Sequence, residues 1–226
     1  MNFAPHAPAE RVARILIVDD HPIVREGLAM RIAHQPGLEV CGEAADIGDA
    51  IKQVISLAPD LVIIDIALKS GNGIDLIKRI KAHTSSVRML VWSMYNEALY
   101  AERALRAGAM GYITKELATD KIIEAIQRVL DGKIFLSEGL ADDLLNRVVG
   151  NMGEVGEFSA VNTLSDRELE VFQLLGQGLD THDVAARMRV SPKTVGTYRA
   201  RIKEKLRLSS GTALMRCTVQ WAVENR

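Results

Sequence analysis

The 226-residue sequence predicts a doubly wound α/β unit with a five-stranded parallel sheet, followed by a small all-α unit of four helices. Three observations carry this. Runs such as Leu61-Val62-Ile63-Ile64 are apolar at every position, so both faces of the strand need cover, as at the centre of a parallel sheet. Such strands alternate with helix-period segments five times, which gives right-handed crossovers. From Leu164 onward the strand signal stops, and capped amphipathic helices follow with short turns between them.

Taken in order, Met1 to Val12, with Pro5 and Pro8, reads as a loose tail. Ile15 to Val18 is the first strand and ends in Asp19-Asp20. His21-Pro22 opens a helix, since proline suits the first turn; Ile23, Leu28, Met30 and Ile32 carry it to about His34. Gln35-Pro36-Gly37 is a turn, and Glu39 to Ala44 is the second strand. A helix over Ile47 to Leu57 is expected to bury Ile51, Val54, Ile55 and Ala58. Pro59 separates it from the third strand, which runs into Asp65. Ile66 to Asn72 is expected to be a loop. Ile74, Ile77 and Ile80 mark the next helix. Met89 to Trp92 is the fourth strand, ending in Ser93. Leu99, Ala101, Ala104 and Leu105 mark a helix closed by Gly108. Tyr112 to Thr114 is the fifth strand, ending in Lys115, and Ile122, Ile123, Ile126, Val129 and Leu130 mark the closing helix.

The strand ends bear the chemistry. Open α/β sheets place ligands at the carboxyl edge of their strands. That edge should gather Asp19, Asp20, Asp65, Ser93 and Lys115. Three carboxylates held together resist ionisation unless a cation joins them. Mg²⁺ fits, because it typically takes one or two carboxylates, waters and a phosphate. Lys115 and Ser93 suit a phosphoryl group as fixed charge and hydroxyl donor. The set argues for a carboxylate that accepts a phosphoryl group, and Asp65, alone on the central strand, is the best nucleophile. No glycine-rich turn follows the first strand and no P-loop is present. A phosphatase of the Asp-x-Asp kind fits less well, since position 67 is Ala.

Composition is ordinary for a globular chain, 48% apolar and 25% charged. The net charge of −1 hides an asymmetry. From Leu164 onward there are 11 Lys/Arg against 7 Asp/Glu; the remainder has 17 against 22. An acidic front and a basic back suggest different partners. Cys41 and Cys217 have no metal-ligand spacing and read as reduced thiols. No apolar run approaches a membrane span, and Met1 to Arg14 lacks the apolar core of a signal peptide. A cytoplasmic protein with no membrane partner is expected.

Ser137 should cap a short helix to Val149, and glycine-bearing Gly150 to Asn162 should be a flexible tether. Beyond it, Ser165-Asp166-Arg167-Glu168 is a capping box. Leu169, Phe172 and Leu175, widened by Val171 and Leu174, form the stripe of the first helix. Asp180 or Thr181 caps the second, and Val184, Ala185 and Met188 lie inside. Ser191-Pro192 starts the third with an N-cap and an N1 proline. Wound at about 100° per residue, it puts Val195, Ile202 and Leu206 on one face. Lys193, Thr197, Ala200 and Arg201 lie opposite, with Gly196 and Lys203 on the flank. Eight basic residues and one acid lie between Arg187 and Arg207. That is the footprint of a helix in a DNA groove. Thr197 and Ala200 would permit close approach to base edges, Arg199, Arg201, Lys203 and Lys205 would contact phosphates, and Lys193, Thr194 and Gly196 belong to the same DNA-binding set.

Asp19-Asp20, Asp65, Ser93 and Gly111-Tyr112-Ile113-Thr114-Lys115 resemble the receiver domain of bacterial two-component response regulators. Leu164 to Glu168, Gly178, Val184-Ala185, Ser191 to Val195 and Lys205-Leu206 resemble the LuxR-type helix-turn-helix. The pair is similar to the NarL/FixJ class, and Ser191 to Arg201 is similar to its GacA/UvrY-like members. The resemblance implies a receiver over 14–131, a linker over 132–162 with a helix at 137–149, and a DNA-binding domain over 163–226. It implies that Asp65 takes phosphate from a cognate histidine kinase. Asp19, Asp20, Asp65 and the Ala67 carbonyl would hold Mg²⁺, and Ser93 and Tyr112 would form a switch pair. Lys69 and Glu116 stand where many receivers have Pro, and Gly196 where many relatives have Lys.

The function expected is phosphorylation-controlled transcription regulation rather than enzymatic turnover. Promoter DNA and the kinase are the partners, RNA polymerase is a further candidate, and a homodimer forms on phosphorylation. The alternative is a phosphorylation-independent DNA-binding regulator whose receiver serves protein contacts.

Overall fold

The computed structural model describes residues 12–69, 71–95, 97–137, 139–142 and 157–224. Strands β1 (Ala13–Val18), β2 (Leu38–Ala44) and β3 (Leu61–Ile64) alternate with helices α1 (Pro22–Ala33) and α2 (Ile47–Leu57). The expected loop after Asp65 is instead a small antiparallel hairpin, β4 (Ala67–Leu68) and β5 (Gly71–Asn72). Then come α3 (Gly73–His83), β6 (Arg88–Ser93), α4 (Glu97–Ala107), β7 (Gly111–Thr114) and α5 (Ala118–Leu130).

The main sheet has the order β2-β1-β3-β6-β7, every neighbour parallel. Residue alternation explains its two layers. Ile15, Ile17, Leu61, Ile63 and Leu90 face Leu28 and Ile32 of α1 and Ile122, Ile126 and Val129 of α5. Leu16, Val18, Val62, Ile64, Met89 and Val91 face α2, α3 and α4. Two expectations fail on α2. Ile55 is 63% exposed and Ala58, the left-handed C-cap, is exposed too, while Ile47, Ala50 and Val54 make the buried face. The helix begins its inward stripe one turn earlier than the Ile51–Ile55 spacing suggests.

The β7 edge is not left open. Phe135 bridges Gly111, and Tyr112 N–H donates to the Phe135 carbonyl at 3.0 Å. Residues 139–142 are helical, and Leu140 N–H donates to Ser137 Oγ at 3.4 Å. The rest of the helix expected to Val149, and most of the expected tether, lie outside the described residues. The tether's far end is a correction: Glu157–Thr163 is a 3-10 helix with Val161 buried. Val161 gives that segment an apolar anchor that its overall polarity conceals.

The all-α unit contains α6 (Asp166–Gly176), α7 (Thr181–Met188), α8 (Pro192–Lys205) and α9 (Gly211–Glu224). Ser165 Oγ accepts from Glu168 N–H, and Glu168 returns to Ser165 N–H at 2.7 Å, completing the capping box. Asp180 and Ser191 cap α7 and α8. Phe172 meets Trp221 edge-on at 5.9 Å between ring centres, joining α6 to α9.

Candidate functional site

The strand order puts β1, β3, β6 and β7 side by side, so their carboxyl ends deliver all five strand-end side chains to one place. Asp19 and Asp65 are almost wholly buried and Ser93 completely so. Lys115 Nζ donates to Asp19 Oδ2 at 2.5 Å and to Asp65 Oδ2 at 2.7 Å. Ser93 Oγ donates to Asp65 Oδ1 at 2.7 Å, and Ala67 N–H reaches the same oxygen at 3.3 Å. Both carboxylate oxygens of Asp65 are thus addressed by donors. Burial works against the Lys115 charge, but Asp65 and Asp19 more than offset it and hold its pKa above the ordinary value.

Local geometry makes this possible. A Cβ at Gly73 would lie 2.2 Å from the Asp65 carbonyl, so only glycine lets α3 start against the end of β3. Lys69 brings a second ammonium to the rim: Nζ is 3.9 Å from Asp20 Oδ2 and donates to the Asp20 carbonyl at 3.4 Å. The Lys115–Glu116 peptide is trans. The Tyr112 ring is fully buried, and its hydroxyl donates to the Tyr95 carbonyl at 2.8 Å. Burial pushes its pKa well up, so it stays a neutral donor.

The cation-site residues fit a hard ion on a structural ground. Asp20 is 6% exposed, and its Oδ1 accepts no hydrogen bond. His21 Nδ1 stands 2.8 Å from it without hydrogen-bond geometry; a buried carboxylate oxygen without a hydrogen bond carries a desolvation cost that a bound cation removes.

On α8, Val195 and Ile202 are buried, with Tyr198 and Leu206 half-buried beside them. Lys193, Gly196, Thr197, Ala200 and Arg201 are exposed, and Lys203 is half-buried. Other expected contacts are otherwise engaged. Thr194 shares the helix cap with Ser191, their hydroxyls 2.8 Å apart. Arg199 donates to Thr181 Oγ1 at 2.5 Å. Lys205 is held by Glu168 Oε2 at 2.6 Å and the Thr163 carbonyl at 3.1 Å.

One group of residues escaped the sequence reading. Asp166, Glu170 and Gln173 of α6 stand at i, i+4 and i+7 and form a polar stripe turned toward α3 and α4. Asp166 takes Lys78 at 2.9 Å and Arg103 at 3.1 Å; Gln173 Oε1 accepts from the Tyr100 hydroxyl at 2.9 Å. Tyr100 also stacks on Tyr95, ring centres 4.9 Å apart. Glu170 is buried beside Asn72 and pairs with Arg167 at 3.0 Å. The helix is therefore buried on its polar side too, and α8 keeps its exposed face.

Residues 15–127 match the response regulator receiver domain, and residues 162–218 match the bacterial regulatory proteins of the luxR family. The chain belongs to the two-component response regulators with a LuxR-type DNA-binding domain. This response regulator is 32% identical over 205 residues to the oxygen regulatory protein NreC of Staphylococcus haemolyticus, covering 89% of this chain and 94% of that one. To the nitrate/nitrite response regulator protein NarL of Escherichia coli it is 30% identical over 198 residues, 88% and 91% of the two chains. Response regulator GacA of Pseudomonas aeruginosa shares 29% over 201 residues, 89% and 92%. A solved RcsB of Salmonella typhimurium superposes with a TM-score of 0.66 at 26% identity, covering 93% and 98%. RcsB bound to promoter P1flhDC in the presence of phosphomimetic BeF3- gives 0.62 at 25%, covering 92% and 98%. The family is thus one of DNA-binding regulators. Among the described residues no helix is long and apolar enough to cross a membrane.

Proposed function

We propose that a histidine kinase phosphorylates Asp65 and that the product controls binding to promoter DNA. The observation that carries this is the pair of donors on one buried carboxylate: Ser93 Oγ on Oδ1 and Lys115 Nζ on Oδ2, each at 2.7 Å. In the transfer, an Asp65 oxygen attacks phosphorus, the bond from phosphorus to the kinase imidazole breaks, and the imidazole nitrogen keeps the electron pair. Lys115 then faces phosphoryl oxygen instead of carboxylate, and Ser93 donates its hydroxyl to the new anion. Asp19, Asp20, Asp65 and the Ala67 carbonyl would hold Mg²⁺, which supplies charge neutralisation.

The phosphoryl group adds about −1.5 to −2 charges at Asp65. Inverting a 1:99 resting balance needs about 5.5 kcal/mol of differential stabilisation. Ser93 and Tyr112 sense the change, and α6 of the DNA-binding unit lies against the same side of the receiver. Residues 14–131 act as receiver, 132–162 as linker and 163–226 as the DNA-binding unit. The exposed face of α8, with Lys193, Gly196, Thr197, Ala200 and Arg201, reads DNA, most efficiently as a homodimer on paired half-sites. RNA polymerase is a further partner, the working compartment is the cytoplasm, and the chain turns over no substrate. Treatment with a small phosphodonor and Mg²⁺, followed by mapping of the hydroxylamine-sensitive adduct, tests the reading: the adduct should sit on Asp65 and be absent from Asp65→Asn. An adduct elsewhere contradicts it.

A further inference from the structure

We infer that Trp92 is a positioning residue for phosphoryl transfer: its indole face holds the Lys115 ammonium beside the carboxylate that takes the phosphoryl group. The inference rests on the reading of Asp65 as that carboxylate.

Strand register brings the two side chains together. Trp92 on β6 pairs with Ile113 on β7. Lys115 comes two residues after Ile113, just past the end of the strand, and side chains two apart on a strand share one face of the sheet. A diagonal cross-strand neighbour is within reach of an aromatic ring. Lys115 Nζ stands 5.5 Å from the centre of the Trp92 ring. That is inside the roughly 6 Å over which a ring face attracts a cation.

The indole is not there for its N–H. Trp92 is half-buried and packs with Ile113 in the layer that faces α1 and α5. Its Nε1 is buried and has no hydrogen-bond partner among the described residues. A leucine would fill apolar space without burying an unsatisfied donor. What the indole adds is its face, which attracts cations more strongly than that of Tyr or Phe.

That face suits the moment of transfer. The Lys115 side chain is 8% exposed, and its ion-pair partners are Asp19 and Asp65. When an Asp65 oxygen joins phosphorus, that carboxylate stops being a full anion and the ammonium must turn to phosphoryl oxygen. The ring takes no part in the bond change and brings no anion to compete with the phosphoryl group. It keeps the ammonium at the site while the oxygen partners exchange, and a charge already in place needs no reorganisation.

The test follows phosphorylation of the full-length protein by acetyl phosphate with MgCl₂. In this reaction an Asp65 oxygen attacks phosphorus, and acetate leaves with the electron pair of the broken bond. Trp92→Leu keeps apolar bulk and removes the ring face; Trp92→Tyr and Trp92→Phe keep weaker faces. Rates should fall in the order Trp, Tyr, Phe, Leu, with Trp92→Leu about tenfold below the wild type. Should Trp92→Leu misfold, the Tyr and Phe variants carry the order. A spectroscopic reading checks the contact itself: tryptophan emission should differ between the wild type and Lys115→Met. Trp221, in the other unit, is common to both spectra and cancels in the difference. Trp92→Leu or Trp92→Phe as fast as the wild type, or emission that ignores Lys115→Met, overturns the inference. Phosphorylation of the wild type on Asp65 at a rate indifferent to the ring removes only the role of Trp92. A wild type whose adduct sits elsewhere than Asp65 removes the underlying reading as well.

Discussion

Arg103 on α4 donates to Asp166 Oδ1 at 3.1 Å and to the Leu164 carbonyl at 2.7 Å, tying the receiver to the start of α6. Both side chains are only 16% exposed. Contacts of this polar kind between domains are suited to opening, because each group is readily hydrated once released.

Arg103→Asp should therefore undock the DNA-binding unit. Removing one partner of a largely desolvated pair typically costs about 2–5 kcal/mol, and the reversed charge adds repulsion. Small-angle scattering of the full chain should show a larger radius of gyration, and Arg103→Lys, which keeps a positive charge toward Asp166, should stay closer to the compact form. An unchanged radius in Arg103→Asp would contradict the docking.

Docking should also depend on pH through Glu170. Burial raises its pKa above the ordinary 4.5, Arg167 opposes that shift, and Asp75 adds to it. Tyr95 faces the same carboxylate and stays neutral, its own pKa pushed up chiefly by burial. A carboxyl group whose pKa is raised by docking binds its proton more tightly in the docked form. Docking therefore strengthens as pH falls through the raised value and weakens above it. The compact fraction should rise on acidification in the wild type, and Glu170→Gln should flatten that dependence.

The basic residues near α8 divide into two classes by their partners. Arg201→Ala, on the exposed face, should weaken promoter binding across sequences and reduce the slope of log affinity against log salt by about 1. Lys205→Ala should instead destabilise the all-α unit, because Glu168 is left buried without its ammonium, at about 1–3 kcal/mol. Burial alone would raise the Glu168 pKa, but Lys205 and the Ser165 N–H hold it below 4.5. Its stabilisation is therefore full above 4.5 and lost as pH falls through the lowered value. Thermal melts at neutral and acid pH, with and without Lys205, measure both effects.

The sequence was most readable where one physical pattern ruled a whole segment. Leu61 to Ile64 had to be a covered strand, and an Asp at its end had to emerge where Lys115 and Ser93 also emerge. The capping box at Ser165 and the Ser191-Pro192 start were legible because helix ends need local donors and acceptors. Ile55 was misread because apolar residues four apart satisfy helical spacing on more than one face. Asp166, Glu170 and Gln173 were overlooked because polar residues on a helix ordinarily mean solvent; only the packing of α6 on α4 reveals that these are covered. Tyr100 and Arg103 escaped for the same reason, since their partners lie 73 and 63 residues along the chain.

The most direct test is the promoter affinity of the full-length protein with and without phosphodonor and Mg²⁺, in wild type and Asp65→Asn. The treated wild type should bind more tightly, and Asp65→Asn should not respond. Asp65→Asn that responds as strongly as the wild type, or a wild type already saturating DNA untreated, would contradict this.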